Sequence, residues 1–253
     1  TAPLSGLSSM TGYEGGKPEE VGASLGDPAA GIATAHLLIA ALIARRRTGE
    51  GQFIDTSLWE ATASSAVEGW TQQILTGQQP DFCGNKDPIM APHNLYRCRG
   101  EDDWVAISCA TEEQWQRMAA LLDLDDPKFT SETSRKHFEN ELDALIEGWT
   151  SHQDKWEITQ ILQSEGIPAM PSLDAQSLET DPHLNYRGFI ERLEHPVVGT
   201  LAHTGIPWLL RDGPNGVRSP APMLGQHTEQ VLSSLLGFSG DEIEDLRDRN
   251  VLG

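Results

Sequence analysis

The segment 24–49 constrains this chain most. It reads Ser24-Leu25-Gly26-Asp27-Pro28-Ala29-Ala30-Gly31, then an apolar run to Ala44, then Arg45-Arg46-Arg47-Thr48-Gly49. Such a segment predicts one long helix with marked ends. Asp27 suits the N-cap, and Pro28 suits the first helical position, where its lacking N–H costs nothing. Three arginines in the last turn complement the helix dipole, and Gly49 stops the helix. The interior is apolar on every side, which predicts a buried helix rather than a surface one. A buried helix needs neighbours all round it.

The rest of the pattern is consistent with that. Residues 51–58 read as a short strand and 59–76 as a helix. Residues 77–92, rich in Gly, Pro, Asn and Asp, read as a linker. Two strands follow at 94–99 and 104–109, joined by a turn at 100–103. Helices are predicted at 111–122, 132–149, 155–164 and 174–178, with Thr111 as an N-cap. A β segment spans 189–207, and helices close the chain at 228–236 and 241–248.

Charge excludes some classes of partner. The 253 residues carry a formal charge of −20. Nucleic acid needs a basic surface, and anionic membrane repels an acidic one, so neither is expected as a partner. Hydrophobic residues make up 38%, enough for a core, and the apolar run at 32–44 is too short for a membrane span. No secretory leader is read at the start. Cys83, Cys98 and Cys109 have no metal-ligand or CxxC spacing, so no metal is expected and a cytoplasmic location is.

Between residues 22 and 58 the chain carries Gly22, Ser24, Asp27, Arg45, Thr48, Gly49, Gly51, Gln52, Asp55, Ser57 and Leu58 in fixed order and spacing. This resembles the class III (CaiB/BaiF-type) CoA-transferases, with their Gly-x-Ser-x-x-Asp box and Arg-x-x-Thr-Gly-x-Gly-Gln-x-x-Asp-x-Ser-Leu run. Further matches follow in order at Tyr96–Gly100 with Trp104–Ile107, Gly166-Ile167-Pro168-Ala169, Asp181–Leu184, His195-Pro196, Ala221–Thr228 and Leu235-Leu236-Gly237.

The resemblance implies an α/β fold: part of a Rossmann-like large domain plus a smaller α+β domain, in an interlocked dimer. Residues 1–80 would carry the catalytic aspartate on the large domain. Residues 81–190 would form the small domain, and 191–253 would return to the large one. The family's N-terminal nucleotide-gripping portion has no counterpart here, so a preceding portion or second chain is expected to complete the CoA site. The stretch near 84–92 has one glycine where some members carry a Gly-rich lid.

The resemblance also implies the chemistry. Asp27 would attack an acyl-CoA thioester and carry the acyl group, passing CoA to a second carboxylic acid, with CoA thioester as substrate and no permanently bound cofactor. Gly26, His93 and Glu112 are the further candidates for the substrate and CoA site. Read from the residues alone, Asp27 is a plain helix cap, Glu112 and Glu113 are first-turn carboxylates, and His93 is a loop histidine. Three rival readings stay open. One is a same-fold acyl-CoA racemase using Asp27 as base. Another is an N-terminal nucleophile hydrolase using Thr1, and the last is a non-catalytic partner subunit.

Overall fold

The computed structural model describes residues 2–20 and 25–252. It divides into two compact units, Thr1–Ser172 and Leu173–Gly253.

The first unit opens with a 3-10 turn, Leu7–Met10, followed by helix α1, Gly26–Thr48. Gly49 ends α1 as expected: it takes φ 79° and donates its N–H to the Arg45 carbonyl. Burial goes against expectation. Among the described helix residues only Gly26 is buried, while Ile32, Leu37, Leu38, Ile39, Leu42 and Ile43 are 45–61% exposed. The reason is supply: an all-apolar helix needs cover on every side, and here α1 rests mainly on helix α2, Leu58–Ser64. By length and composition α1 could cross a membrane, with a mean hydropathy of 1.6.

Residues 51–57 form no strand, because a strand needs a paired neighbour and the described residues offer none. Thr56 instead meets Thr34 of α1, Oγ1 to Oγ1 at 3.2 Å. The helix predicted at 59–76 is two helices, α2 and α3 (Val67–Thr76). They part where Ser65 and Ala66 bond three residues back, to Thr62 and Ala63. Small polar residues there, with Ser64 bonding the Ala61 carbonyl, favour such a break.

The packed core lies later. Strands β1 (His93–Arg97), β2 (Trp104–Ser108) and β3 (Ala169–Pro171) form an antiparallel sheet in that order. Between β2 and β3 run α4 (Glu112–Leu121), α5 (Glu132–His137), α6 (Glu139–Thr150) and α7 (Lys155–Ser164). Alternation along the strands sends Tyr96, Val105, Ile107 and Ala169 to one face. Trp115 and Met118 of α4, Leu142 and Ile146 of α6, and Ile158 and Leu162 of α7 meet them there. Each helix contributes a pair three or four residues apart, the spacing that shares one helix face.

Caps fix the helix starts. Thr111 and Gln114 form a complete capping box on α4, and the Asp154 side chain accepts from Trp156 and Glu157 N–H on α7. The expected 132–149 helix breaks at Phe138, whose φ and ψ of −102° and 24° leave the helical region as its ring stacks edge-on against His137. Strand β3, with three residues, was too short to leave a sequence signal.

In the second unit, α8 (Ala175–Thr180) and α9 (Pro182–Tyr186) precede an antiparallel hairpin of β4 (Ile190–His195) and β5 (Gly199–Thr204). Helix α9 went unread in the sequence. Asp181 caps it from just before Pro182. Helix α10 (Thr228–Gln230) runs on as a π-helical turn, Val231–Leu235, and α11 (Gly240–Asp248) starts with a capping box of Ser239 and Glu242.

Candidate active site

Asp27 is the second residue of α1, not its cap. Leu25 precedes the helix with φ −64° and ψ −36°, and no side chain caps the end. A residue that enters with helical dihedrals puts the helix start one position earlier than the Asp-Pro pair predicts. The Asp27 carboxylate is exposed, and among the described residues it has no hydrogen-bond or ion-pair partner. It stands in the first turn, where free backbone N–H groups and the positive dipole end favour an anion by about 0.3–1 kcal/mol. Gly26 beside it is buried. Gly22 and Ser24 of the same motif, and Thr1, lie outside the described residues.

His93 begins β1 and is half-buried. Its Nδ1 lies 2.8 Å from the Asn85 carbonyl oxygen. Glu112 opens α4 and is engaged: Arg135 Nη2 donates to its Oε2 at 2.9 Å and Nη1 to its Oε1 at 3.3 Å. That guanidinium is almost wholly buried, stacks over Trp115 and also donates to the Ala91 and Phe129 carbonyls. Glu112 therefore neutralises a buried cation. Among the described residues no hydrogen bond or ion pair joins Asp27 to His93 or to Glu112. His195 accepts backbone N–H from Val197 and Val198 in the β4–β5 turn, a structural use.

Sequence reading passed over several side chains that shape this region. Arg135 looks like a surface residue at a helix end. Only the fold shows that it is buried. Asp143 of α6 accepts from the Tyr96 hydroxyl at 2.7 Å and from Asn94 at 2.9 Å. Burial, helped by the Asp143 charge, pushes the Tyr96 phenol far up, so it stays a donor.

The stretch before β1 is held in place. Lys136 donates to the Asp87 carbonyl and to both Glu139 oxygens, and Lys86 donates to Asn140. The Asp87 carboxylate accepts N–H bonds from Met90 and Ile89, which hold its pKa below the usual value. A residue pair three apart, Lys136 and Glu139, was the available signal for this anchoring.

The cysteines are free thiols. Desolvation pushes Cys98 up to about 11 and Cys109 up to about 12, so both stay protonated and unreactive near neutral pH. Among the described residues no cluster of three or more His, Cys, Asp or Glu is placed to hold a metal ion.

The chain is 28% identical to a succinyl-CoA–D-citramalate CoA-transferase of Chloroflexus aurantiacus over 98% of its own length and 63% of that protein's. It is 29% identical to a formyl-CoA:oxalate CoA-transferase of Rhodopseudomonas palustris, covering 98% of this chain and 64% of the relative. The chain thus spans just under two thirds of the length of these relatives. In structure it resembles a CaiB/BaiF family protein from Brucella suis, with a TM-score of 0.83 at 23% identity over 92% of this chain and 61% of the other. That likeness shows the mixed α/β fold. The family model for CoA-transferase family III matches residues 1–228, and the chain belongs to that family.

Proposed function

We propose that the protein moves CoA from an acyl-CoA thioester to a second, free carboxylic acid through a covalent intermediate on Asp27. The observation that carries this is the Asp27 carboxylate itself, exposed and without a partner among the described residues, in the first turn of a 23-residue helix. A capping aspartate would be held by backbone N–H groups. This one is free to attack.

The steps balance without a metal or redox partner. An Asp27 oxygen adds to the thioester carbonyl carbon, and N–H groups of the first turn are suited to receive the oxyanion. Collapse breaks the C–S bond, releases CoA thiolate and leaves a mixed anhydride on Asp27. The thiolate then attacks the aspartyl carbonyl, expels the donor acid and forms an aspartyl thioester. The acceptor carboxylate attacks that thioester, breaks its C–S bond to release CoA thiolate, and again gives an anhydride on Asp27. Thiolate attack on the acceptor-derived carbonyl yields the new acyl-CoA and restores the Asp27 carboxylate. One exchange between two stable acids is thereby split into steps of lower barrier.

In this reading the family's nucleotide-gripping portion, outside this chain, completes the CoA site. Segment 1–80 supplies the nucleophile, 81–190 the small domain, and 191–253 the return to the large domain. The working unit is a cytoplasmic interlocked dimer, in which α1 is an interior helix rather than a membrane span. The bare apolar faces of α1 support that assembly.

Trapping tests the reading. The intact protein is mixed with acyl-CoA, quenched with hydroxylamine, digested and weighed by mass spectrometry. A hydroxamate on the peptide at Asp27 is expected. An unmodified Asp27 peptide from enzyme that is turning over refutes the proposal.

A further inference from the structure

We propose that the open face of the β1–β2–β3 sheet binds a free carboxylic acid with a short aliphatic chain. The chain would lie on Leu95, Ala106 and Met170, and the carboxylate would meet His93 and Ser108. Pairing register fixes which residues share this face. His93 stands opposite Ser108, Leu95 opposite Ala106, and Ala106 opposite Met170. Their sequence neighbours Tyr96, Val105, Ile107 and Ala169 point into the core, where α4, α6 and α7 cover them. The opposite face carries a cleft of about 490 Å³, walled by residues 84–86. That volume lies in the range of small-molecule sites. Across three strands the apolar floor runs about 10 Å, two inter-strand spacings, which suits a chain of a few carbons.

Charge selects the head group. The protein carries −20 overall, yet no Asp or Glu lines this cleft, and its titratable residues are Lys86 and His93. The Lys86 ammonium is already shared among Asn140, Glu14 and Glu139. Asn94 is engaged with Asp143 and the Leu95 N–H, so recognition falls to His93 and Ser108, with Asn85 at the wall. His93 Nδ1 faces a carbonyl oxygen, which only accepts, so Nδ1 carries hydrogen and Nε2 is left for a ligand. When the imidazole is charged, Nε2 donates as well. Among the described residues the Ser108 hydroxyl meets only the Met90 thioether, at 3.9 Å. The Ser108 hydroxyl and the charged form of His93, on directly paired strand positions, give two donors for the two oxygens of one carboxylate.

The choice of a free acid as ligand rests on the CoA-transfer reading, because such an enzyme handles two of them; the cleft's geometry does not depend on it. The test titrates the intact protein with hexanoate, hexylamine and CoA by calorimetry. Hexanoate should saturate, and hexylamine should not. Ala106→Trp fills the floor and should weaken hexanoate at least tenfold. Met170→Asp places a negative charge on it and should do the same, while both exposed substitutions leave the melting temperature unchanged.

Three results would overturn the cleft assignment. They are no hexanoate binding, binding indifferent to both floor variants, and CoA rather than hexanoate as the ligand those variants displace. Retained CoA transfer in Asp27→Asn would instead defeat the proposed function and leave the cleft standing.

Discussion

An aspartate at a helix start is usually immobilised by the N–H groups it accepts, and replacing it costs about 1 kcal/mol of stability. Asp27 accepts no such bond, since α1 begins at Gly26 without a side-chain cap. Stability and reactivity are therefore separable at this position. Asp27→Asn should change unfolding free energy by no more than about 0.5 kcal/mol in denaturant titration. The same variant should lose CoA transfer by on the order of a thousandfold or more. Loss of both together would mean that the carboxylate is structural. The cysteines allow a second residue-level check. Iodoacetamide at mildly alkaline pH should modify exposed Cys83 quickly, and Cys98 and Cys109 only after unfolding. Their thiols are buried, and desolvation holds them protonated.

At the scale of elements, local signals marked ends well and partners poorly. Thr111 and Gly49 sit where the capping pattern put them, because a cap is satisfied by groups within four residues. The strand expected at 51–58 did not form, and the helices expected at 59–76 and 132–149 each broke in two. A strand depends on a neighbour that sequence periodicity does not supply. Helix breaks at Ser65 and Phe138 depend on where the chain must turn to pack. The two kinds of contribution should differ in size. Thr111→Ala removes half of a capping box and should cost about 1 kcal/mol in chemical denaturation. Leu142→Ala empties a fully buried position between α6 and the sheet and should cost about 2–5 kcal/mol. Equal losses would contradict a core centred on β1–β3.

At the scale of the whole molecule, apolar surface is unevenly distributed. The core around Tyr96, Met118 and Leu142 is closed, whereas α1 leaves six large aliphatic side chains about half exposed. Apolar area costs about 25 cal/mol per Å² in water, so a face of this kind is normally covered. The 253-residue chain prepared alone should bind a hydrophobic dye strongly and self-associate in sedimentation. The complete protein should do neither. A monodisperse, dye-silent 253-residue chain would show that α1 needs no cover.

The sequence by itself determined the family, the long apolar helix and its C-terminal stop, the place of Asp27 near its start, and the Thr111 cap. All of these depend on residues close together in the chain. Only the tertiary structure decided that Asp27 lies inside the first turn rather than capping it and that Glu112 is committed to buried Arg135. Register, too, had to be folded before His93, Ser108, Ala106 and Met170 shared one open face. Those facts depend on which distant segments meet, and burial and pairing between distant segments are properties of the folded chain.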